Sequence, residues 1–185
     1  MKLYSIALLL LALVCSIPRC SYAQHHADLA PAEIDQLRDS MMEPDTRLKL
    51  YVKFAKARID ALDQLRTDPK ISAADRPAQT HDKLQDFVDI YDELNDNIDM
   101  YVDRKDDIRK PLKTVIEADA EFQAKLKAFQ DSLTASKEDT KPFEFVLRNA
   151  VDDLNDSAQD HRKLLDEQEQ AAKNRKKHKG DKQQQ

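Results

Sequence analysis

The chain has 185 residues, 35% of them charged, with one glycine, two cysteines, no tryptophan and a formal net charge of −5. Its one glycine, Gly180, lies in a basic terminal stretch. That excludes the phosphate-cradling loop, the dinucleotide-binding fingerprint and the nucleophile elbow, each of which needs glycine where backbone approaches a ligand or turns sharply.

Residues 1–23 read as a secretory signal peptide, with Lys2 as the positive start, an apolar run from Leu3 to Val14 and Ser21-Tyr22-Ala23 as a small-x-small cleavage site. An apolar run of about 12 residues is too short for a bilayer that needs roughly 20. Cleavage is therefore expected, with a mature chain that begins at Gln24, has no transmembrane span and is secreted or periplasmic. Cys15 and Cys20 both fall in the removed segment, and Val14 and Arg19 before them are not the small residue that a lipid-attachment cysteine follows. The mature protein is then free of disulfides and thiolate ligands. Without residues 1–23, 28 basic side chains face 35 acidic ones, a net of −7. Residues 171–185 hold six basic side chains against Asp181, so residues 24–170 carry −12. Leu, Ile, Val and Phe make up 34 of these 162 residues, just above the level at which a highly charged chain stays unfolded.

Helix-forming composition and apolar residues three and four apart predict an all-α body. A short first helix covers Pro31 to Met42, with Ile34, Leu37 and Met41 on one side. The second spans Asp45 to Thr67, with Asp45 as N-cap and Leu48, Tyr51, Val52, Ala55, Ile59, Leu62 and Leu65 on its stripe. Residues 69–79 read as a connector, and Thr80 can cap the third helix, whose stripe runs from Leu84 through Phe87, Tyr91, Leu94, Ile98 and Tyr101 to Ile108. Pro111 is expected to start a fourth helix rather than kink the third, because proline is tolerated in a first turn and disruptive inside. That helix continues through Phe122 and Leu126 to about Ala135. Pro142 suits the first turn of a last helix carrying Phe143, Leu147, Val151, Leu154, Ala158, His161 and Leu165 and fraying near Lys173. The expectation is an antiparallel bundle of about four long amphipathic helices plus a short N-terminal one. The bundle domain is 24–170, followed by a disordered basic tail over 171–185.

Three constellations carry chemical content. The third helix places Asp82, Asp86, Asp89, Glu93, Asp96 and Asp103 along one side, a stripe suited to divalent cations or a cationic partner. The basic residues Arg47, Lys49, Lys53, Lys56 and Arg58 of the second helix are expected to pair with it across a hairpin, and Asp152, Asp156 and Asp160 repeat the pattern on the last helix. The mature terminus Gln24-His25-His26 looks like the amino-terminal copper and nickel motif, in which the α-amine, two backbone amides and the His26 ring form a square of nitrogens. Arg175, Lys176, Lys177 and Lys179 could draw the tail to anionic lipid head groups or envelope polymers, with no nucleic acid expected. Asn155-Asp156-Ser157 matches a glycosylation acceptor but falls within a helix. His161, on an apolar stripe, reads as a partly buried core histidine. The di-iron bundle pattern fails at Ala158, and no His-Glu-x-x-His occurs, so neither cofactor nor catalysis is implied.

In compartment and helical character the chain resembles the small periplasmic stress chaperones of the Spy and CpxP type. Leu29-Ala30-Pro31-Ala32-Glu33 is similar to their Leu-Thr-x-x-Gln motif, departing from it at the threonine and the glutamine. The functional expectation is a non-enzymatic helical-bundle protein acting through protein or cell-envelope contacts. Chaperone-like action or Cu/Ni binding are the alternatives, and a homodimer that completes the long apolar stripes is an open arrangement.

Overall fold

A proline lacks the N–H that a first helical turn leaves unpaired anyway, and its φ is preset for the helix. Pro31, Pro44 and Pro77 accordingly stand at the first or second positions of three successive helices. The computed structural model describes residues 29–182, with side chains as far as Arg175. Its helices are α1 (Pro31–Asp39), α2 (Pro44–Thr67), α3 (Arg76–Asp103), α4 (Arg109–Ser136) and α5 (Glu144–Lys182). No strand occurs among the described residues.

Several boundaries differ from the sequence expectation for local reasons. The first helix stops at Asp39 rather than Met42, and the Ser40 hydroxyl turns back to donate to the Leu37 carbonyl at 3.1 Å. α3 starts at Arg76 because Pro77 serves as a first-turn proline, not as a breaker, and Thr80 is buried inside the helix instead of capping it. α5 continues past Lys173 to Lys182. Pro111 does mark a new helix, being the third residue of α4. With no glycine in the body, Lys105 (φ 63°) and Lys137 (φ 52°) adopt the left-handed backbone that ends α3 and α4. At the end of α4, Glu138 N–H donates to the Leu133 carbonyl at 3.2 Å and Lys137 N–H to that of Thr134 at 3.3 Å, the paired bonds that close a helix through a left-handed residue.

α2 to α5 form a bundle around one core, in which Phe87, Tyr91 and Phe122 pack edge-on or stacked with ring centroids 5.5 to 6.4 Å apart. Burying each such side chain is worth roughly 1.5–3 kcal/mol. The order around the bundle is α2, α3, α5, α4. α2 and α3 are an antiparallel hairpin, as Arg47 reaching Asn97 and Tyr51 reaching Glu93 show. α4 and α5 are another, joined at Asp119 with His161 and Gln123 with Asn155. The hairpins stand side by side so that α2 runs parallel to α4 and α3 parallel to α5. α3 and α4, consecutive in the chain, thus occupy opposite corners. Their connection crosses the end of the bundle and is pinned from α5: Gln168 Oε1 accepts the Ile108 N–H at 3.1 Å, and its Nε2 donates to the Asp106 carbonyl at 3.3 Å. α1 lies on α2, where the Arg58 guanidinium grips both Glu33 oxygens at 2.7 and 2.6 Å. No described helix is long and apolar enough to cross a membrane.

Candidate binding face between α3 and α5

Charge is divided unevenly among the helices. α3 carries eight carboxylates against Arg76 and Lys83, and residues 144–170 of α5 carry eight against Arg148, Arg162 and Lys163. The crossed connection makes these two acidic helices parallel neighbours. Asp92, Asp96 and Asp99 from α3 and Asp153, Asp156 and Asp160 from α5 are exposed, and none forms an ion pair with a described residue. Partial desolvation, then the charges of Asp153, Asp89 and Asp96, push the Asp92 carboxyl up to about 6, although its side chain still meets solvent. Desolvation, followed by Asp152 and Asp156, raises Asp153 above the usual carboxylate range. Every neighbour that shifts these two groups is itself an acid.

Between the two helices runs a groove of about 350 Å³ whose lining includes Asn95, Asp99, Ser157, Asp160, His161 and Glu167. A buried network lies beneath it. Tyr91 OH donates to Asp119 Oδ1 at 2.8 Å, and His161 Nδ1 stands 2.9 Å from Asp119 Oδ2. Asp119 is fully enclosed and His161 is 4% exposed. A carboxylate oxygen is the acceptor in such a pair, so Nδ1 is assigned as the donor of this bond. The His161 ring also forms part of the groove lining. Burial, then the charge and hydrogen bond of Asp119, raise the Tyr91 hydroxyl far above its ordinary value and keep it a donor. Alongside, Asn95 Nδ2 donates to Ser157 Oγ at 3.0 Å, while Asn95 Oδ1 is buried with no partner. No hydrogen bond joins Ser157 to His161, so the two do not form the nucleophile and base pair of a hydrolase. The lining is rich in acceptors, with Lys163 its one cation.

The stripe expected on α3 is not one surface. Asp82 lies 3.4 Å from His81, and Asp86 pairs with Lys83 at 2.8 Å. Asp89 is buried and receives the Gln85 amide at 2.8 Å, and Glu93 accepts from Tyr51 OH at 3.2 Å. Asp96 and Asp103 are exposed. The expected hairpin pairing is replaced at several positions: Lys49 bonds Asp45, Lys56 bonds Glu121 of α4, and Arg58 bonds Glu33 of α1. Arg175 is exposed, and its Nε donates to the Ala171 carbonyl at 3.4 Å. The side chains of Lys176, Lys177 and Lys179 lie outside the described residues, as do Gln24, His25 and His26. Among the described residues no three His, Cys, Asp or Glu side chains converge on a metal-sized site. Asn155 sits in mid-helix and accepts from Gln123 at 2.8 Å.

Sequence reading singled out neither Asp92, Asp99, Asn95 nor Asp119. For Asp119 a signal existed: Val115, Asp119, Phe122 and Leu126 follow one another at helical spacing, which places an acid on an apolar stripe. The chain matches no family model, no curated protein and no solved structure.

Proposed function

We propose that this is an exported helical-bundle protein that works by contact, binding a positively charged partner protein along the α3/α5 seam. The observation that carries the reading is the placement of two acidic helices side by side, with Asp92 and Asp153 raised by partial desolvation and then by acidic neighbours. Like charges held together weaken the free protein, and a cationic partner converts that cost into binding. The pattern of residues 1–23 supports export, and the basic stretch 171–185 supports weak attraction to anionic head groups or envelope polymers. Fluorescence anisotropy with labelled oligolysine and oligoglutamate on the full chain tests the seam. Oligolysine should bind with an affinity that falls steeply as salt is raised, and the triple variant Asp92→Asn, Asp153→Asn, Asp156→Asn should bind it weakly. Equal binding by the variant refutes the assignment.

A second reading is favoured by a separate feature. Met41 and Met42 are 56% and 76% exposed just before α2, and Met100 is 40% exposed in the last turn of α3, at the same end of the bundle. Methionine surfaces adapt to varied apolar partners, which fits chaperone-like holding of unfolded chains. It predicts near-stoichiometric suppression of aggregation by the full chain, lost when Met41 and Met42 become Ser; no suppression removes it.

A further inference from the structure

We infer that the α3/α5 groove seats one ammonium group, that of a lysine in an extended segment of the partner protein. The inference rests on the acidic-seam reading and adds the point at which the partner is gripped. The lining of the groove includes an acceptor left over by the fold. Asn95 spends its amide donor on Ser157 and leaves Oδ1 buried and unpaired. His161, 4% exposed, is held to Asp119 through Nδ1, and its ring forms part of the lining. Above them stand Asp99, Asp160 and Glu167, with Lys163 the one cation in the lining.

An ammonium group offers three donors and no acceptor, the complement of this set. A carboxylate or phosphate would meet acceptors and negative charge, so the site discriminates against anions. Ile98, Val102 and Leu164 complete the lining and offer apolar surface to the methylene stem of a lysine. At about 350 Å³ the groove admits one such side chain. A protein segment is the source the geometry favours over a free polyamine, because the unpaired acids continue beyond the groove through Asp96, Asp92, Asp156 and Asp153, where further cations of an extended chain would lie.

Isothermal titration of the full chain with a hexalysine peptide, and separately with spermidine, tests this. Asn95→Leu and Asp160→Asn should each weaken hexalysine binding about ten-fold, the loss expected when a charged hydrogen bond goes. Asp153→Asn, which removes one seam charge outside the groove, should weaken it about two- to three-fold, less than either groove variant. Thermal melting checks that Asn95→Leu folds; the exposed Asp99→Asn reads the same site if it does not. Groove variants that weaken binding no more than Asp153→Asn overturn the seat and leave the seam reading intact. Absence of hexalysine binding overturns both, and spermidine binding as tight as hexalysine overturns the assignment to a partner's lysine.

Discussion

α2 and α4 meet as α3 and α5 do, as parallel neighbours brought together by one crossing connection, yet the two seams treat charge in opposite ways. Across α2/α4, Asp45 meets Lys110 at 3.0 Å, Lys56 meets Glu121, Lys125 meets Asp60, and Arg66 meets Glu138 at 3.1 Å. Hydrogen bonds from Lys110 and then Lys49 hold Asp45 below the usual carboxylate range. Across α3/α5 the polar link is neutral, Asn95 to Ser157, and partial desolvation followed by nearby carboxylates raises Asp92 and Asp153. The bundle therefore accommodates complementary charge at a parallel seam. The acidity of the other seam is not a requirement of the fold, and it is the feature on which the proposed cationic partner rests.

The largest expected effect lies where both hairpins share a buried link. Asp119→Ala strands the Tyr91 hydroxyl and the His161 ring in the core, and should cost about 3–5 kcal/mol of unfolding free energy in urea titration. A loss below about 1 kcal/mol would mean that water replaces the carboxylate and the link is not structural.

Next come opposite charge reversals on the two seams. Lys125→Glu removes a bridge to Asp60 and sets an acid beside Glu121, so it should destabilise by about 1 kcal/mol. Asp153→Lys gives Asp92 a cation and should stabilise by about 0.5 kcal/mol. Effects of the same sign would erase the distinction between the seams.

The pH response sharpens it further. Asp92 has a folded pKa of about 6 against an ordinary 3.8, so between those values the folded state holds more protons than the unfolded one, and stability contributed by this group falls as pH rises. Asp92→Asn should raise the melting temperature at pH 7, with the gain shrinking through pH 6 and vanishing below about pH 4. A gain that persists in acid would trace to packing and not to charge. The smallest effect belongs to Lys127→Ala, whose partner Asp131 lies on the same exposed face of α4 with side chains 75% and 66% exposed. Its expected cost in urea titration is about 0–0.5 kcal/mol, and a larger one would mean that exposed bridges in this bundle count for more than their solvation allows.

Much of the architecture was legible in advance. The stripes of α2 to α5 became the core, Pro111 opened a helix, and His161 proved a buried histidine. The acidic site was legible only in parts. The carboxylates of α3 and the repeat Asp152, Asp156, Asp160 on α5 were both visible, but a hairpin reading sets α3 against the basic residues of α2. Asn95, Ser157 and Asp99 gain meaning only when α5 is their neighbour.

The sequence by itself determined the helices, their prolines, their buried stripes and the division of charge among them. Those properties follow from spacings of three and four residues within one segment, which any amphipathic helix expresses locally. Tertiary structure alone decided that α3 and α4 take opposite corners and that two acidic helices run side by side. An apolar stripe specifies that a face is buried without specifying against what, and the choice is made when four stripes close on one core and Gln168 anchors the crossing segment.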